Sequence, residues 1–567
     1  MTARAGRMII AMTAAGLVLA GGLSPRAATA DVGAYLAARQ ATIDRSFEDL
    51  SQYAERALVD DPENAALLEA VVSSELSMGN FDAAQQDAER LDTLEPGNQI
   101  AAMALLTRMA REDDFAAVIA ALDDGKSIST VVDGMLRAWA LVGEGDMSAA
   151  LEIFDTQAAQ VEGFEFFGPY NKALALALVG DFEGAEQTLS DPAMAPTRLS
   201  VLARAQVLSQ LERNEEALAL LDEAFGGAED PGVEALRRTL EAGERAPFTV
   251  VRNARDGMAD VFFAVASALD GGLDDAYTLL YARMAQELRP DQASYALAVA
   301  SLLERLGRHA LAAEAFAAIP PEDPAYPMAE LGRANTLRAS GQDEAELEVL
   351  RQLAKARPEL ASAQIALGDA LRRHERYEEA VAAYSAAVDL TGEPTRSDWP
   401  LFFTRGIAHE RLGQWEEAET DLRQALALQP DQPQVLNYLG YSFLEMKSNL
   451  DEAMDMIRKA AEARPQDGYI TDSLGWGLYR LGRYEEAVDP MERAVALMPV
   501  DPIINDHLGD VYWAVGRERE ARFQWERALS FEPEDEDAER IRRKLDVGLD
   551  RVLIDEGEAP TRSPNDG

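Results

Sequence analysis

The chain has 567 residues, a net charge of −47, 47% hydrophobic and 7% aromatic residues, and no cysteine. This length exceeds one ordinary domain, and the lack of alternating valine, isoleucine and threonine runs argues against sheet. The missing cysteines exclude disulfides and a lipid-modified N-terminal cysteine, and so negative a field repels phosphate backbones, which excludes nucleic acid as a partner.

Met1 to Ala30 reads as a signal peptide. Arg4 and Arg7 form a positive start, Met8 to Gly22 is apolar, and Ala28-Thr29-Ala30 is a small-residue cleavage site. The apolar run is shorter than the ~20 residues of a spanning helix. The expected location is therefore exported and periplasmic, with an uncleaved N-terminal anchor as the alternative. Cleavage removes Arg4, Arg7 and Arg26 and takes the net charge to −50. Solubility of a large surface is the plain reading of that charge, and steering of a basic partner the sharper one. No later segment is apolar enough to span a bilayer.

Residues 31–230 carry recurring turn signatures such as "SMGNFDAA", "LVGDFEGA" and "QLERNEEA" between helix-forming runs. They predict a first, degenerate superhelix. Residues 231–272 are the least repeat-like and are expected to be an irregular junction, or two degenerate repeats with a longer loop. Degenerate repeats resume over 273–360. Well-formed ones cover 361–533, a capping helix 534–549, and a polar, disordered tail 550–567.

The period is explicit in the second half. Gly406, Gly440, Gly475 and Gly509 are spaced 34, 35 and 34, and Pro430, Pro465, Pro499 and Pro533 are spaced 35, 34 and 34. Pro62 and Pro96 are again 34 apart. Each unit reads as a helix through "LG", a polar turn and a second helix that stops before proline. An alanine follows the glycine by twelve residues at Ala380 (after Gly368), Ala418, Ala487 and Ala521, and by thirteen at Ala453. A glycine facing an alanine lets two helices approach closely, which outweighs the roughly 1 kcal/mol propensity cost of the glycine. Gly477 recurs in no other copy and is read as local tolerance.

These residues resemble the tetratricopeptide repeat family. The Gly509 copy carries Leu508, Gly509, Tyr512, Ala521, Trp525, Ala528 and Pro533, and the Gly368 copy Leu367, Gly368, Leu371, Ala380, Tyr384 and Ala387. The resemblance implies an all-α solenoid, a right-handed superhelix whose first helices line a concave groove for a protein partner. It carries groove roles to Arg372, Arg373, Phe403, Arg411, Asn437, Tyr441, Tyr469, Asp472, Trp476, Tyr479, Arg480, Asp506, Asp510 and Trp513. Asp472, Trp476 and Tyr479 share one helix face by spacing, and aromatics beside carboxylates suit an extended peptide or helix. The other reading packs these aromatics on the next repeat as core. None of the six lysines stands at these positions, so a clamp for a C-terminal carboxylate is not expected.

Chemistry has little support. There is no Gly-x-Ser-x-Gly elbow, phosphate-cradling loop or His-Glu-x-x-His. His309, His374, His409 and His507 lie on different repeats without ligand spacing, so neither a metal nor a cofactor is expected. Glu378-Glu379, Glu416-Glu417 and Glu485-Glu486 recur after the turn, where carboxylates suit the start of the second helix. Met446, Met454 and Met456 fill core gaps.

Asn437 to Trp525 further resembles bacterial envelope repeat proteins, among them a lipoprotein adaptor that holds a carboxy-terminal processing protease and delivers cell-wall hydrolases to it. This chain lacks the lipidation cysteine. The expected function is an exported scaffold or adaptor without catalysis. Alternatives are a protease adaptor in cell-wall hydrolase turnover, an enzyme or enzyme subunit acting on envelope polysaccharide or peptidoglycan, and a structural part of an envelope assembly.

Overall fold

The computed structural model describes residues 31–156, 166–191, 196–226, 230–272 and 274–561. The stretch expected as a signal peptide, 1–30, and the last residues, 562–567, lie outside them. The described residues form 31 α-helices and no strand. The chain divides into two compact units, 1–353 and 354–567.

The first unit opens with α1 (Val32–Asp44), α2 (Phe47–Leu58), α3 (Ala65–Met78), α4 (Phe81–Leu94), α5 (Gln99–Arg111) and α6 (Phe115–Asp123). It continues with α7 (Thr130–Gly143), α8 (Met147–Thr156), α9 (Phe167–Leu178), α10 (Phe182–Leu189), α11 (Arg198–Gln210) and α12 (Asn214–Phe225). There follow α13 (Pro231–Glu241), α14 (Ala254–Leu269), α15 (Asp275–Leu288), α16 (Ala293–Arg305), α17 (His309–Ala317), α18 (Tyr326–Ala339) and α19 (Asp343–Ala356), the last ending in the second unit. Successive pairs form hairpins, and the hairpins stack.

The segment expected as an irregular junction holds α13, an extended stretch over 242–253 and α14. The hairpin α14–α15 does not extend the stack. It lies across the row of first helices α3, α5, α7 and α9. Arg283 on α15 donates through Nε to the Ser77 carbonyl at 2.9 Å, at the carbonyl-rich end of α3 where a cation is favoured. Arg111 binds Glu287 at 2.6 Å, and Gln99 donates to the Tyr277 hydroxyl at 2.7 Å. A Cβ on Gly257 of α14 would fall 2.2 Å from the Trp139 ring of α7. The reason lies in α3 and α5. Leu67 to Ser77 and Ala101 to Thr107 are buried almost without a break, so these helices are covered on both faces and need more than their stack neighbours.

The second unit contains α20 (Ala361–Arg373), α21 (Tyr377–Thr391), α22 (Trp399–Arg411), α23 (Trp415–Leu428), α24 (Pro433–Glu445) and α25 (Leu450–Ala463). Then come α26 (Gly468–Arg480), α27 (Tyr484–Leu497), α28 (Pro502–Ala514), α29 (Glu518–Leu529), α30 (Asp535–Val547) and α31 (Leu549–Asp555). The paired glutamates fall in the first turns of α21, α23 and α27. The stretch from 550 differs from the expected disordered tail: α31 runs to Asp555 and buries Leu549, Val552 and Leu553.

Ala380, Ala418, Ala453, Ala487 and Ala521 are all fully buried. The glycine's missing side chain makes room chiefly for the residue one turn beyond the alanine. A Cβ on Gly368 would meet Tyr384 at 2.6 Å, on Gly475 Met491 at 2.4 Å, and on Gly509 Trp525 at 2.4 Å. A Cβ on Gly440 would meet the Ala453 carbonyl and Ile457 alike at 2.9 Å. Gly477 is not mere tolerance, because a Cβ there would lie 2.6 Å from Met454 Sδ and 2.9 Å from Leu444. Gly475 faces its own hairpin and Gly477 the preceding one. Gly475→Val is expected to destabilise the second unit by roughly 1–3 kcal/mol or more, read by urea denaturation. An unchanged midpoint would contradict this packing.

Candidate partner-binding groove

The inner face of the second unit is built from α20, α22, α24, α26 and α28, and its two ends differ. Over α20, α22 and α24 only the packed side of each helix is buried; Phe403, Asn437 and Tyr441 are half-buried and Arg411 is exposed. Trp399, Phe403 and Tyr438 form an aromatic chain, the first pair tilted at 6.0 Å between centroids and the second edge-on at 5.8 Å. The Tyr438 hydroxyl donates to Glu410 at 3.0 Å. Burial pushes the Tyr441 phenol up, helped by Glu445 and Asp472 and opposed by Arg480. The side-chain oxygen of Asn437 is buried without a hydrogen-bond partner.

Over α26 and α28 the expected groove residues are drawn into an interior. Asp472, Trp476, Tyr479, Asp506 and Asp510 are all buried. The Trp476 ring stacks between Tyr479 at 4.8 Å and His507 at 3.9 Å, and its indole N–H donates to Glu445 at 3.0 Å. Arg480 lies 6.0 Å from the Trp476 centroid. Of this row only Tyr469 is open, at 57% exposure. The packing reading of these aromatics therefore describes Trp476 and Tyr479, with the groove positions of α24 and α22 still uncovered.

The cover is α30. Its Lys544, fully buried, donates to Asp506 at 2.7 and 2.9 Å and to Asp510 at 2.8 Å. Trp525 donates its indole N–H to the other Asp510 oxygen at 2.9 Å, and Arg540 stands 3.7 Å from Asp510. Burial pushes the Asp506 carboxyl up, against the pull of Lys544. Removing one partner from such a pair typically costs 3–5 kcal/mol, because the other charge is stranded. Two groove carboxylates are thus taken by the chain's own lysine, with Ala538 and Ile541 beside it on the buried face. That face, Ala538-Ile541-Lys544 at spacings of three, was the signal in the sequence: a lysine in an apolar stripe.

His507 completes the cluster, with Nδ1 at 3.0 and 3.1 Å from the Asp472 oxygens. Of the other histidines, His409 pairs through Nδ1 with Gln414 at 2.7 Å, beside a polar surface hollow of about 380 Å³ lined by Arg405, Glu416, Glu417 and Asp421. That hollow is already satisfied internally, since Arg405 grips Asp421 with two bonds of 2.7 Å. In the first unit, Asp260 is buried among Tyr170 and Tyr295, and burial pushes its carboxyl up to about 7. Enclosed in the interior, it interacts with Tyr170 and Tyr295 and lines no open surface.

A tetratricopeptide repeat family model matches residues 331–393, 403–468 and 473–536. The fold is all-α, and the matched residues between 331 and 536 carry tetratricopeptide repeats. A TPR repeat-containing protein of Pseudomonas aeruginosa is 31% identical over 178 residues, 31% of this chain and 29% of that protein. A lipoprotein NlpI homolog of Haemophilus influenzae is 39% identical over 84 residues, 15% of this chain and 26% of its own length. The chain thus matches less than a third of either relative. The solved Cut9–Hcn1 hetero-tetramer of the APC/C aligns over 92% of this chain and 96% of that one, at 15% identity and a TM-score of 0.37. Among the described residues no helix is long and apolar enough to cross a membrane.

The His507 pair sets a pH dependence. Burial pulls the imidazole down, but Asp472, Asp506 and Asp510 outweigh it and raise its pKa above 6.5. Stabilisation by the imidazolium is present in full below 6.5 and is lost as pH rises through the raised value. His507→Gln is expected to destabilise the second unit measurably at pH 6 and less at pH 9. Urea melts giving the same loss at both pH values would contradict the charge pairing.

Proposed function

We propose that this chain is an exported scaffold or adaptor that binds a protein through the open reach of its groove, between α20 and α24, and performs no chemistry of its own. One observation carries the reading. Phe403 and Tyr441 are half-buried and Arg411 is exposed along the inner face of α22 and α24, while the continuation of that face over α26 and α28 is filled by the chain itself. Aromatic side chains beside an exposed guanidinium supply an apolar anchor and a polar contact to an extended segment. The signal-like first thirty residues support export to the periplasm, and the match to the NlpI homolog supports an envelope setting.

A second reading makes the partner a periplasmic carboxy-terminal processing protease, for which this chain would be an adaptor in cell-wall hydrolase turnover. It is favoured by the envelope-repeat likeness of Asn437 to Trp525. A photo-crosslinker at the exposed Arg411 position, activated in intact cells, tests both readings. It should capture one dominant protein, and Phe403→Ala with Tyr441→Ala should lower recovery at least tenfold. Recovery unchanged in the folded double variant would reject the groove. Identification of a protein other than such a protease would reject the second reading alone.

A further inference from the structure

The reach of the groove over α26 and α28 already holds an occupant beyond the cap helix. After α30 the chain turns at Gly548, whose φ of 81° suits glycine and whose Cβ, if present, would lie 2.7 Å from the Trp513 ring. Helix α31 then lays Leu549, Val552 and Leu553 into the interior. Asp550 accepts the Trp513 indole N–H at 2.9 Å and two bonds from Thr561 at 2.6 and 2.7 Å, which tie down the end of the segment. Glu558 reaches back to Lys447 at 3.0 Å. That bond holds its carboxyl below the usual range, aided by Arg480 and Arg540.

The holds on the two C-terminal helices differ in kind. Lys544 of α30 is anchored in the interior, and stripping its partners is costly. Beyond Gly548 two ion pairs lie at the surface, Lys447 being 63% exposed in its pair with Glu558 and Arg551 63% in its pair with Asp555, while Arg540–Glu556 is about a third exposed. Such pairs contribute little each. The principal remaining holds are three aliphatic side chains, the Trp513–Asp550 hydrogen bond and the one-third-exposed Arg540–Glu556 pair at 3.1 Å, a contact the size of a short peptide ligand.

We propose that residues 549–561 are a displaceable in-chain ligand for the Trp513 reach of the groove. A partner bearing a short acidic helix, with aliphatic residues one turn apart, competes for the same surface. The apolar seat fits Leu549 and Leu553, and the basic edge of Lys447 and Arg480 fits carboxylates. This deepens the groove reading by naming a partner chemistry, but concerns a separate stretch of the face.

The test uses the full chain with Val552→Asp and Leu553→Asp, which eject the strap, and a fluorescein-labelled peptide of sequence LDRVLIDEGEAPT. Anisotropy should show saturable binding to the double variant at least tenfold tighter than to the unaltered chain. No difference, with native helical circular dichroism, overturns the proposal. Hydrogen exchange on the unaltered chain gives an answer even if the variant misfolds. Amides of 549–558 should exchange at least tenfold faster than those of α30, and equal protection would make the strap a fixed part of the cap and overturn the proposal. A dimer of the unaltered chain that vanishes in the double variant would assign the strap to a neighbouring copy, overturning the in-chain assignment. Failure of the peptide to bind leaves the Arg411 crosslink untouched, and failure of the crosslink leaves the peptide result standing.

Discussion

A helix that is apolar all round must be covered all round. In a stack of hairpins the flanks of each first helix are covered by its neighbours and its own second helix, but the inner face is left to water. Here that face is too apolar to leave open along much of the chain. Each unit therefore folds part of itself inward: α14 and α15 across the first helices of the first unit, α30 and α31 over α26 and α28 of the second. Buried apolar area stabilises at about 25 cal/mol per Å², so residues such as Met103, Met284, Val511 and Ile541, all fully buried, hold the inserts in place without any disulfide. Between α20 and α24 the inner face is only half-buried.

Charge fixes the register of the second insert. Asp472, Asp506 and Asp510 meet His507, Lys544 and Arg540, so three carboxylates face three cations once the imidazole is protonated. Buried pairs of this kind add little net stability over apolar packing, but breaking one is expensive. The arrangement makes a shifted α30 unfavourable, because Lys544 would leave two acids stranded. It also converts a surface that reads as acidic in the sequence into a neutral interior, leaving the basic edge of Lys447 and Arg480 as the charged feature beside Trp513.

The repeat itself was plain in the sequence. Period, turn signatures and the Gly–Ala spacing all rest on local chain geometry, and the helices fall where those signals put them. The partner of each glycine was less plain. Spacing identified Ala487 opposite Gly475, but the contact is made by Met491, one turn further on, because a helix side chain leans over the preceding turn. Gly477 escaped because its contact, Met454, belongs to the previous hairpin and no single copy shows it. The inserts were hidden for the same reason. The inward path of α14 and α15 is a long-range choice, betrayed only by α3 and α5 being apolar on both sides. Asp506 and Asp510 match groove positions by spacing, yet spacing does not reveal that Lys544 lies over them.

The central claim is that the chain covers its own inner faces, and the absence of cysteine makes a direct test possible. Single thiols introduced at Met284 on α15 and Ile541 on α30 are compared with thiols at the exposed Ala268 and Glu539 on α14 and α30. The account predicts that the first two react with a maleimide only at the rate of unfolding, while the controls react at once. Equal, fast labelling at all four positions in the folded protein would contradict it.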